Sequence, residues 1–166
     1  TGSDGSGYEL AKAFGHNIIP VVPSLVQLKC SDTYCKSLAG IRAEACVHIF
    51  ENDKELCQEL GEVQLTDYGI SGIPVFQLSA QVNRRLTEKK HGGITAVIDF
   101  MPGMSEGAFK ALQDDRLKHT EGITVEEFFT GMLNKKLMML FIKLAGLNPA
   151  AKADSVSYKQ LRKVFE

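Results

Sequence analysis

The chain has 166 residues, of which 44% are hydrophobic and 23% charged, and its 19 basic and 20 acidic side chains leave a formal net charge of −1. That length can bury a sizeable core without a metal or disulfide staple, and the balanced charge argues against a nucleic-acid or membrane partner. Four cysteines, at 30, 35, 46 and 57, form no C-x-x-C and no zinc register with the four histidines. With no run of eighteen apolar residues, no secretory signal and no N-x-[ST] acceptor, these features predict free thiols, no metal site and a cytoplasmic protein.

Residues 7–14, "GYELAKAF", predict a short helix closed by Gly15. "NIIPVVPSLVQLKC" (17–30) carries two prolines among β-branched residues, which fits an edge strand or an irregular extended passage. From 41 to 51, Ile41, Ala43, Ala45, Val47 and Ile49 alternate with Arg42, Glu44, Cys46, His48 and Phe50, the period of a half-buried strand. "ENDKE" supplies a turn and "ELGEVQLTDY" a partner strand, so 41–66 read as a hairpin. Residues 74–88 fit a helix, with Pro74 in its first turn and Val75, Leu78, Val82 and Leu86 on one face. "GGITAVIDFMPG" (92–103) reads as a strand closed by a Pro-Gly turn.

Beyond it the pattern is helical. Ser105 is an N-cap, Thr124 and Glu127 make a capping box, and "NKKLMMLFIKLAGL" and "DSVSYKQLRKVFE" complete the set. Strands first and helices later imply an α+β chain. The expected units are 16–103 as a β-rich lobe and 104–166 as a helical lobe.

Side chains that might carry chemistry have bland readings. His16, His48, His91 and His119 are scattered without metal spacing. Asp114/Asp115 and Glu126/Glu127 point about 100° apart on a helix, so neither pair converges for acid–base work. "RRLTEKKH" (84–91) reads as a solvated helix end, and "LMMLFIKL" (137–144) as core packing. Two glycine loops stand out: "TGSDGSG" at the start and "DYGISGIP" at 67–74. The first is neither G-x-G-x-x-G nor a Walker A loop; taken alone, it reads as a cloning scar or as a piece cut from a larger protein.

Both loops carry a resemblance. Thr1, Gly2, Ser3, Gly5, Gly7, Tyr8, Gly15, His16, Pro23, Leu25, Val26 and Leu28 match a segment of the BaiN-type, aminoacetone-oxidase-like flavoproteins. Gly61, Glu62, Thr66, Gly69, Ile70, Ser71 and Gly72 match that family's G-E-x-x-x-T-x-x-G-I-S-G signature, and "GMLNKKLMMLFIKLAGL" is similar to its helical segment.

The resemblance implies a native opening loop and a specific architecture: residues 1–15 as a short helix-bearing segment from the flavin domain, then a small Greek-key-like β-barrel lobe followed by a helical lobe, inserted into an FAD-dependent oxidoreductase. It implies FAD in the parent enzyme, bound in part by Thr1, Gly2, Ser3 and Gly5, and none held by this chain, which lacks a dinucleotide fingerprint. The implied partner is the FAD-binding domain of the same polypeptide, with NAD(P)H compatible as reductant, and the chain by itself is inactive. Its catalytic residues stay unassigned. Asp67, Tyr68, Gly69, Ile70, Ser71 and Gly72 are then a loop facing flavin or substrate, with the Ser71 hydroxyl available to a bound partner. The same glycines also suit a tight barrel-to-helix corner. A rival reading from a different class is an autonomous β-barrel module binding a peptide or a single-stranded nucleic acid. The absence of Trp and the presence of only four Tyr argue against it.

Overall fold

Strands β2 (Arg42–Glu51), β3 (Lys54–Thr66) and β4 (Gly69–Gly72) follow one another as antiparallel neighbours in the computed structural model, which describes residues 2–88 and 92–165. Strand β5 (Ile94–Asp99) returns to pair with β2 on the far side, and the two-residue β1 (Leu28–Lys29) closes the other edge. The resulting order, β1-β4-β3-β2-β5, places the fourth strand of the run beside the first, which is the Greek-key connection. The connection from β4 to β5 runs through helix α3 (Ile73–Thr87).

The alternation of 41–51 has its expected consequence. Ala45, Val47 and Ile49 are fully buried and meet Val63, Leu65 and Ile70 from the neighbouring strands and Val75, Leu78 and Val82 from α3. The hairpin is longer than its sequence suggests, because β3 begins at Lys54 rather than Glu59. Its polar first residues pair across β2 with Glu51 and Phe50, beyond a register shift at Ile49/Phe50. Their exposure removes any need for an alternating pattern. The passage 17–30 is irregular up to β1, and its closing pair lies at the sheet edge where a proline-rich segment belongs. A short helix α2 (Cys35–Leu38) between them has no counterpart in the sequence reading.

The second core is helical. Helix α4 (Glu106–Arg116) starts at Ser105, whose hydroxyl accepts the Ala108 N–H at 3.3 Å. Helix α5 (Val125–Phe129) has the expected capping box, with Glu127 accepting the Thr124 N–H at 2.7 Å. Helix α6 (Lys135–Leu144) contributes Leu137 to the sheet core and Met138 and Ile142 to the helical one, where Phe128, Phe129 and Leu161 also pack. The closing segment is not one helix: a 3-10 turn (Ala153–Ser155) is followed by α7 (Tyr158–Arg162), restarted by Ser157 and Gln160 in a second capping box. Around it, backbone bonds Val125 N–H to Ala151 C=O and Ala153 N–H to Ile123 C=O tie the segment to the start of α5. No described helix is long and apolar enough to cross a membrane.

Helix α1 (Ser6–Ala13) buries no residue. Tyr8, Leu10 and Phe14 stay exposed, as do Ile19, Val21 and Leu25 after it, with Phe14 at 82%. The passage takes hold of the domain only near its end. There Ser79 on α3, itself fully buried, accepts the Val26 N–H at 3.2 Å, and the Asn83 amide donates to Pro23 C=O at 2.9 Å.

Candidate functional site: the glycine hairpin and its surroundings

The signature hairpin divides into a buried part and an exposed tip. Thr66 pairs with Gly69 and Gln64 with Ser71, leaving Asp67 and Tyr68 as the two turn residues. Tyr68 is 39% exposed, whereas Ile70 and Ser71 are each 4% exposed because β4 lies between β1 and β3. Little of Ser71 therefore reaches the surface of this chain.

The glycines account for the close packing. A Cβ on Gly69 would overlap the Leu28 carbonyl oxygen and lie 2.9 Å from the Cys30 amide nitrogen, which itself bonds the Tyr68 carbonyl at 2.9 Å. A Cβ on Gly72, at φ 106°, would overlap the Glu62 carbonyl oxygen. Only glycine lets β1 approach β4 and lets the chain turn from β4 directly into α3. The corner reading of the signature is thus satisfied by this chain's own backbone.

The tip faces a shallow groove of about 460 Å³ lined by Leu25, Val26, Gln27, Lys29, Tyr68 and Phe76. Leu25 holds φ 54°, uncommon for a non-glycine residue. This grouping is not visible in the sequence, since its members span residues 25–76 and meet through the β1–β4 pair and the bonds from 23–26 to α3. Beneath the hairpin, Cys30, Asp32, Tyr34 and Cys35 border a smaller cavity of about 210 Å³. Burial, reinforced by the neighbouring Cys35 and Asp32, pushes the Cys30 thiol up to about 11. All four cysteines are free. His48 contacts Glu55 at 3.0 Å on the outer face of the hairpin, and no described group of three His, Cys, Asp or Glu side chains gathers as a metal site.

The opening loop does not form a nucleotide site by itself. Thr1 lies outside the described residues, and Gly2 and Ser3 are exposed. Gly5 takes φ 83° at the start of α1. The Ser6 N–H, a donor that a phosphate would use, already bonds the Asp4 carboxylate at 3.0 Å, and that bond holds the Asp4 carboxyl below its usual range. The Gly5 N–H faces the Ser3 hydroxyl at 3.4 Å. With its first free N–H groups turned to Ser3 and Asp4, the loop does not by itself offer FAD a phosphate cradle. The basic run of 84–91 is a paired helix end over its described part. Arg85 bonds both Glu51 and Glu88, while Lys89, Lys90 and His91 lie outside the described residues.

Comparison with known proteins agrees with this architecture. The chain is 37% identical over 163 residues to the 3-dehydro-bile acid delta(4,6)-reductase of Clostridium scindens, a match covering 96% of this chain. The chain spans 39% of that relative's length. The family model described as the HI0933-like protein barrel and H2TH domain matches residues 22–166. The resemblance read from the two glycine loops is borne out, and the chain belongs to the HI0933-like family as its barrel and H2TH domain.

Proposed function

We propose that this chain is the middle, inserted domain of a cytoplasmic FAD-dependent oxidoreductase and covers the flavin and substrate space of the parent enzyme. The observation that carries the reading is the unburied apolar strip from Tyr8 to Leu25. A helix with no buried residue, followed by four exposed large apolar side chains, gains stability only against another surface. The partial coverage of the relative supports a surface in the same polypeptide, its FAD-binding domain.

In this reading Gly2, Ser3 and Gly5, with Thr1, complete a flavin site whose main part belongs to that domain. Bound there, FAD would supply the redox chemistry, with NAD(P)H compatible as reductant. The relative's name, a reductase, makes reduction of an organic substrate the reaction type. The share of this domain is to position and enclose: Asp67 and Tyr68 project at the tip, while Gly69, Ile70, Ser71 and Gly72 hold it.

Hydrogen exchange tests the docking directly. In the complete polypeptide the amides of 6–25 should be protected, and in the 166-residue chain they should exchange freely. Equal exchange in both would overturn the proposal. A second measurement isolates the tip: Tyr68→Ala in the complete enzyme should raise KM or lower turnover while leaving the melting temperature unchanged.

A further inference from the structure

Four of the five methionines of the chain, Met101, Met104, Met132 and Met138, line a single cavity. It lies where the two cores meet, between the end of β5, the first turns of α4, the inner side of α6 and the segment after α7. Its volume is about 770 Å³, inside the roughly 300–1,000 Å³ of small-molecule sites. Phe109 and Phe141 add aromatic walls, and Lys163 is the single cation of the lining.

From this we infer that the cavity is a binding site for a largely hydrocarbon molecule with one anionic end. Methionine is unbranched and polarisable, so a wall of methionines adapts to an apolar guest where a wall of branched side chains would fix one shape. Of the two acids of the lining, Asp99 accepts the Met101 N–H at 2.8 Å, and Glu106 sits in the first turn of α4 beside its positive dipole end. Lys163, exposed at the end of α7, is left to meet an anion at the rim. The inference is independent of the flavin-domain reading, since the lining shares no residue with the 67–72 hairpin or the opening loop.

Titration of the 166-residue chain with dodecanoate and with cholate, each below its micelle concentration, tests it and separates an acyl chain from a fused-ring acid. Saturable one-to-one binding of at least one is expected. Ala145→Phe, which fills the cavity from the end of α6, should weaken that binding by about tenfold. Met104→Glu, at a position 39% exposed, should do the same at an unchanged melting temperature. Lys163→Glu should weaken the anion by about threefold while leaving dodecanol unchanged. Absence of saturable binding for both acids overturns the site. So does binding indifferent to Met104→Glu in a protein of unchanged melting temperature, which places the ligand on the exposed apolar strip instead. Equal effects of Lys163→Glu on dodecanoate and dodecanol overturn the anionic end.

Discussion

At Gly72 the backbone needs two things at once: a φ of 106° and space against the Glu62 carbonyl. Either alone disfavours a side chain. Gly72→Ala should therefore destabilise the 166-residue chain by at least about 1 kcal/mol, read as a lower denaturant midpoint at unchanged slope. An unchanged midpoint would show that β3 yields to the added methyl. Cys30 makes a pH prediction at the same scale. Its thiol, ordinarily at 9.0, titrates at about 11 when folded. The folded state thus holds a proton that the unfolded state has lost between those values. Stability attributable to Cys30 is fully present below about pH 9 and is lost as pH rises toward about 11. Denaturation midpoints across that window should fall in the wild type and fall less steeply in Cys30→Ala.

Among the elements, the cap of α5 offers the sharpest test. Thr124 accepts the Glu127 N–H at 3.2 Å, and Glu127 returns the contact to the Thr124 N–H and hydroxyl. Thr124→Ala should cost about 1 kcal/mol. The Thr124 N–H holds the Glu127 carboxyl below its usual value, so the Glu127 contribution is present above the unfolded carboxyl range and lost as pH falls through the lower, folded one. The acid limb of the stability profile should flatten in Glu127→Gln.

Such a cap is legible in the sequence because all its partners lie within four residues. The strand at 41–51 and the helix begun by Pro74 are legible for the same reason, each repeating a local period. The burial of Ser71 is not, since it depends on β1 pairing with β4 from some forty residues away. Nor is α2, whose four residues are too few to show a period. The tip at Asp67–Tyr68 is legible as a place, but its companions Lys29 and Leu25 become neighbours only through the folded edge strand.

For the whole molecule, the unburied N-terminal strip and the two cores have opposite expectations. Removing residues 1–16 should leave the melting temperature of the remaining chain unchanged, because α1 buries nothing. Phe14→Asp should reduce any concentration-dependent self-association seen by light scattering. Loss of thermal stability on the deletion would show that the strip folds back on the barrel.

Helix α6 has the reverse character. Leu137 belongs to the barrel core, Met138 and Ile142 to the helical core, and Phe141 touches both. Neither half of the chain can melt while the other keeps that helix whole. The barrel and the helical half should consequently unfold in one cooperative transition, with calorimetric and van't Hoff enthalpies equal and the slowest-exchanging amides lying on α6.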